Sequence, residues 1–118
     1  MQLLRFDAAA GRALNVFDSQ AVVLSRIGQM EGEVQIGCMH IGAGGIVGYH
    51  QATVRQLFLV VAGMGWVRGA DETRQPIVAG QAAYWGPGEW HESGSQDGMT
   101  AIVIESATLD PGRYMPAI

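Results

Sequence analysis

The 118-residue chain contains no lysine and only one cysteine, Cys38. A lone thiol excludes an internal disulfide and any zinc site built from several thiolates, and its default reading is a buried, inert side chain. Charge is sparse as well. Charged residues make up 15% of the chain, and its seven basic residues, all arginine, are scattered without a basic run. With a net charge of −4 and a pI of about 5.1, nothing recommends a nucleic acid as partner. No window approaches the roughly 18 consecutive apolar residues of a membrane span. Arg5, Asp7 and Arg12 break the N-terminal apolar stretches before the core of an export signal can form. These absences lead to the expectation of a soluble, cytoplasmic protein with neither membrane nor nucleic acid partners. Sustained helical periodicity is also missing: the best stretch, Asp7–Leu14, is alanine-rich but short and broken by Gly11.

What is present is apolar and cut by glycine. Hydrophobic residues form 48% of the chain and 17 glycines are spaced along it, a composition well on the folded side of the disorder boundary. The apolar runs are Gln20–Ile27, Glu33–Ile41, Gln56–Ala62, Trp66–Arg68, Gln75–Val78, Ala82–Trp85 and Met99–Ser106. Turn signals separate them at Gly42-Ala43-Gly44-Gly45, Gly63-Met64-Gly65, Gly69-Ala70-Asp71, Gly86-Pro87-Gly88 and Gln96-Asp97-Gly98. Short strands at this spacing predict an all-β sandwich or barrel, with residues 1–118 as one domain. Leu57-Phe58-Leu59-Val60-Val61 shows no alternation, and in the last run Ile102 and Ile104 share one side while Ala101 and Val103 share the other. Strands apolar on both faces are buried on both faces. The expectation is that one face fills a barrel and the other lies under a second sheet or a neighbouring subunit, which suggests a homodimer.

Two segments carry chemistry. In residues 44–63, Gly44 is followed by His50 and later by Gly63; in residues 80–95, Gly80 and the turn Gly86-Pro87-Gly88 precede Glu89-Trp90-His91. In spacing these resemble the first and second motifs of the cupin superfamily, with the proline displaced by one position. The resemblance covers about half of the chain directly and implies a double-stranded β-helix, or jelly-roll barrel. In metal-binding cupins three histidines and a glutamate from these motifs hold a divalent metal. Carried over, His50 takes the first histidine position and His91 the last; Ala52 stands where the second histidine would be, and Gln56 where the glutamate would be.

Only two of the four ligands are therefore intact. His50 and Ala52 share strand parity, as do Gln56, Phe58 and Val60, so all of these are expected to face the interior. Two imidazoles and an amide leave the charge of a divalent ion uncompensated in a low-dielectric barrel. Three readings stay open: a weak divalent metal site (iron, manganese, nickel or zinc) on His50, Gln56 and His91; a metal-free polar pocket for a small organic ligand; and a relic. Ala52, Phe58, Tyr84 and Trp90 are expected to line the pocket, with Trp66 and Trp85 as further aromatic candidates. Glu105 and His40 are candidates for a missing ligand, although the apolar neighbours of His40 on its own face favour a core histidine. Arg55 should point away from Gln56 as a surface or dimer-face charge, and Glu89 and Glu92 read as exposed turn carboxylates. The functional expectation is a small-molecule-binding cupin, in one version a metal-dependent oxygenase, isomerase or epimerase, or decarboxylase. The other version is a non-catalytic, metal-free metabolite binder or sensor.

Overall fold

Gly63 governs the architecture. A computed structural model describes residues 1–118 as ten strands and a short 3-10 turn, Ala8–Ala10. The strands are β1 (Gln2–Arg5), β2 (Arg12–Ala13), β3 (Val23–Leu24), β4 (Gln35–Ile41), β5 (Ile46–Gln51), β6 (Gln56–Arg68), β7 (Gln75–Val78), β8 (Gln81–Trp85), β9 (Trp90–Gly94) and β10 (Met99–Glu105). Instead of ending at the glycines, the chain continues through them, so the expected runs Gln56–Ala62 and Trp66–Arg68 are one strand, β6. Gly63 has φ +77, and a Cβ there would overlap the carbonyl oxygen of Gly98. Only glycine fits this conformation. The pairing of β10 with β6 shifts register nearby, between Thr100 and Ala101, and β6 belongs to two sheets.

The first half of β6 pairs with β8 and β10, which pair in turn with β1 and β4, giving the order β1-β8-β6-β10-β4. The second half pairs with β7 and β9, and β9 pairs with β5. All pairings are antiparallel. Strands β4 and β5 are consecutive in the chain yet each bonds only on its other side, to β10 and β9. An unpaired seam therefore runs between them.

Side-chain alternation sorts the core into two layers. Phe58, Val60, Val67, Ile77, Ala83, Trp85, Ala101 and Val103 pack between the sheets, together with Ile41, Ala52 and Met99. On the other face of the first sheet, Leu57, Leu59 and Ala82 pack with Leu4, Leu109 and Met115, flanked by Ile27, Met30, Ile102 and Ile104. Leu57–Val60 of the non-alternating run is thus buried on both sides as expected, whereas Val61 is 48% exposed, and the chain's own terminal segments provide the outer cover. Arg55 helps to hold that cover: its Nη1 donates to the Leu109 carbonyl at 2.8 Å, and its carbonyl accepts from Ser106 N at 3.1 Å. It is a half-buried clasp and not a free surface charge.

Several expectations are corrected. Asp7–Leu14, short and broken by Gly11, forms no α-helix, in line with the missing periodicity; Asp7 accepts from Ala10 N at 3.2 Å and caps a single 3-10 turn before the chain enters β2. Of Gln20–Ile27 only Val23–Leu24 is strand, pairing with Arg12–Ala13 in a small ribbon outside the two large sheets. Cys38 is exposed, and so is His40. In β4 the residues opposite Val103 and Ala101 are Gly37 and Met39, so Cys38 and His40 face outward on an edge strand that nothing covers. No helix is long and apolar enough to cross a membrane.

Candidate functional site

The site begins with an irregularity in β5. Val47 opposes Ser93 and His50 opposes His91, so three steps along β5 match two along β9. This β-bulge at Gly48–Tyr49 breaks the alternation, and Val47 and His50 can then both face inward. Val47 packs on the inter-sheet core, and the His50 ring lies 4.2 Å from the His91 ring, centroid to centroid. The bulge also frees the Gly48 carbonyl, which takes a 2.6 Å hydrogen bond from His50 Nδ1. His91 Nδ1 reaches the Glu89 carbonyl at 3.3 Å. A carbonyl only accepts, so in both rings Nδ1 carries a proton, and in a neutral ring Nε2 presents its lone pair.

His91 is 2% exposed and its Nε2 has no hydrogen-bond partner. Trp85, fully buried, stacks on the His91 ring at 4.2 Å and 20°. The indole Nε1 is the other buried side-chain polar atom left without a partner. One orphan donor and one orphan acceptor thus belong to stacked rings. Burial lowers the pKa of His91, and the neighbouring His50 adds to this; the bond to the Glu89 carbonyl opposes it. His91 is the neutral base here.

Strand register extends the site into a row. Gln35, Glu105, Gln56 and Trp85 oppose one another in turn across β4, β10, β6 and β8, on the face that carries Phe58 and Val103. Gln56 is buried and Glu105 half-buried. Glu105 is therefore the carboxylate in register with Gln56, whereas His40 faces outward and contributes nothing to the interior. Ala52 is buried in the core, with its amide donating to the Glu89 carbonyl at 2.9 Å. Phe58 lies beneath the site, edge-on to Trp85 at 6.1 Å.

Two residues expected in the pocket lie elsewhere. Tyr84 alternates with Trp85 and packs on the outer core layer. Trp90 alternates with His91, is 43% exposed, and packs at a tilt against Tyr49, ring centroids 5.2 Å apart, outside the barrel. It borders a cavity of about 540 Å³ that holds none of His50, Gln56 or His91. Trp85 takes the inward place instead. Its parity with Ala83 was the available sign, obscured because Tyr84 and Trp85 are adjacent aromatics. Glu92 is no free turn carboxylate: it lies in β9 and pairs with Arg68 at 3.2 Å and Arg74 at 3.9 Å.

The donor set can be judged on its chemistry. Nowhere do three or more His, Cys, Asp or Glu side chains converge as a metal-binding group. The four-ligand set implied by the resemblance is absent, and two neutral nitrogens with an amide nearby do not replace its charge. What the arrangement offers is directional hydrogen bonding from the buried, stacked rings of Trp85 and His91.

No family model matches the sequence, and no curated protein does either. Solved structures do. A cupin superfamily protein from Desulfitobacterium hafniense aligns over 78% of this chain and 82% of its own, at 17% identity and a TM-score of 0.59. A cupin-2 domain containing protein from Shewanella frigidimarina aligns over 69% of this chain and 78% of its own, at 15% identity and a TM-score of 0.56. A predicted oxalate decarboxylase from Thermotoga maritima aligns over 58% of this chain and 62% of its own, at 19% identity and a TM-score of 0.54. What the chain shares with these proteins is the all-β architecture described above: it has the cupin fold, a jelly-roll barrel of two antiparallel sheets.

Proposed function

We propose that the protein binds a small hydroxyl-bearing organic molecule at the His50–His91 pair, without needing a metal. The observation that carries this reading is the pair of orphan atoms, His91 Nε2 and Trp85 Nε1. A buried polar group left unpaired costs about 1–3 kcal/mol, so two of them favour a partner that satisfies both. A hydroxyl has the matching chemistry, since it accepts from an indole N–H and donates to an imidazole nitrogen. Gln56, with one amide acceptor and two donors, is the third group of the proposed site, and His50 is its exposed member.

A second reading, a weak divalent metal site, has its own support: both Nδ1 protons are tied to backbone carbonyls, the arrangement that orients metal-ligating imidazoles. The homodimer is part of the proposal too. It loses the ground on which it was expected, because the chain covers its own outer core. What supports it now is the outward row Ile36, Cys38 and His40 on the free edge strand β4, with Ile36 67% exposed.

The test is a thermal-shift screen of wild type, His50→Ala and His91→Ala against small hydroxy acids and polyols, and against Mn²⁺, Fe²⁺, Ni²⁺ and Zn²⁺. Metal per chain is measured alongside. A ligand at about a hundred times its Kd stabilises by about 2.7 kcal/mol, a rise on the order of 10 °C. An organic ligand whose shift disappears in both variants is the expected result. Near-stoichiometric metal lost in His50→Ala would move the assignment to the second reading. No response from wild type to any compound would overturn both.

A further inference from the structure

The arginines divide into two groups. Arg5 pairs with Asp7, Arg68 and Arg74 pair with Glu92, and Arg55 donates to the Leu109 carbonyl. The other three, Arg12, Arg26 and Arg113, have no ion pair, and no guanidinium hydrogen bond holds them. All three line one groove of about 510 Å³, although they come from distant parts of the chain. The groove lies where the β2–β3 ribbon meets the C-terminal segment, and no acidic residue lines it. Tyr114 organises its floor: Arg26 lies 5.6 Å and Arg113 5.1 Å from the ring centroid, while the phenol donates to Gln29 Oε1 at 3.1 Å. Leu14 and Leu24 add an apolar wall.

In a chain of net charge −4, the three cations without an ion pair share one concave surface. Guanidinium groups are planar forks matched to carboxylate and phosphate oxygens. The stacked tyrosine and the leucines suit an organic body, and the volume is that of a small-molecule site. We infer that this groove binds a small organic anion carrying two or more carboxylate or phosphate groups. It shares no residue with the His50–His91 site. Because its lining comes from both the ribbon and the C-terminal segment, bound anion would fasten the ribbon to the barrel.

Isothermal titration of the full chain at low salt, with citrate and separately with pyrophosphate as probes, tests this. The variants are Arg26→Gln and Arg113→Gln, with Arg74→Gln as a control outside the groove; thermal unfolding confirms that each is folded. Saturable binding of either probe at one per chain is expected, weakened at least about tenfold by each groove variant and unchanged in the control. Preference for citrate or for pyrophosphate assigns the group as carboxylate or phosphate. If neither probe saturates on folded wild type, or if Arg74→Gln weakens binding as much as the groove variants do, the inference is wrong.

Discussion

His91 is a base placed where its conjugate acid is poorly solvated. Its pKa lies below the ordinary imidazole value because burial disfavours the charged ring. The unfolded chain takes up a proton near pH 6.5, whereas the folded chain does so only at lower pH. The unfolded state therefore binds more protons across that window, and stability falls as the pH drops through it. His91 subtracts nothing above the window. The expected outcome is a melting temperature that declines from about pH 7 to about pH 5.5 in wild type and less steeply in His91→Phe, measured by circular dichroism at each pH. At this scale the sequence, through motif spacing, puts His50, Gln56 and His91 on β5, β6 and β9, and the two imidazole rings do meet, at 4.2 Å; that these residues bind anything is the proposal made above. It was a poor guide to Trp85, Tyr84 and Trp90. Adjacent aromatics point to opposite faces, and only the register says which one goes in.

Among the elements, β6 does the most to hold the two sheets together. Gly63-Met64-Gly65 carries one turn signal in the sequence, yet both glycines allow a close crossing instead: a Cβ at Gly65 would overlap the carbonyl oxygen of Gly94, as one at Gly63 would overlap that of Gly98. Glycine in a sequence signals backbone freedom or close approach, and the two meanings are not separable without the partner strand. The structure distinguishes them for mutation. Gly63→Ala must accommodate both a left-handed φ and a backbone overlap, and is expected to destabilise by about 2–4 kcal/mol. Gly37→Ala, in β4 with nothing within 4 Å of the new methyl, is expected to stay within about 0.5 kcal/mol of wild type. Urea unfolding of the two variants checks the contrast. The bulge in β5 was equally hidden. Nothing in Gly48-Tyr49-His50 marks an extra residue, since a bulge exists only relative to the strand it faces.

For the whole molecule, all-β character and the jelly-roll class were legible from turn spacing and the two motifs. Cys38 and His40 were misplaced because Val34, Ile36 and Cys38 make their face of the strand apolar, and an edge strand with an uncovered apolar face reads like a buried one. The groove formed by Arg12, Arg26 and Arg113 left no local trace, as its parts are brought together by chain closure alone. The proposed dimer can be tested at this scale. Ile36→Glu places a charge on the outer face of β4, and light scattering is expected to report the mass of two chains for wild type and one for the variant; a monomeric wild type would reject the dimer.

The sharing of β6 between both sheets also bears on how the chain folds. Neither sheet can be completed before this central segment has found partners from the far end of the chain, since β6 pairs with β8, β9 and β10. Local contacts offer few early gains, so the search is dominated by closing long loops. Folding is expected on the millisecond-to-second scale of β-sandwiches. A half-assembled state with one sheet intact and the other lost has little to sustain it, because the strand it would keep is the strand it would have to give up.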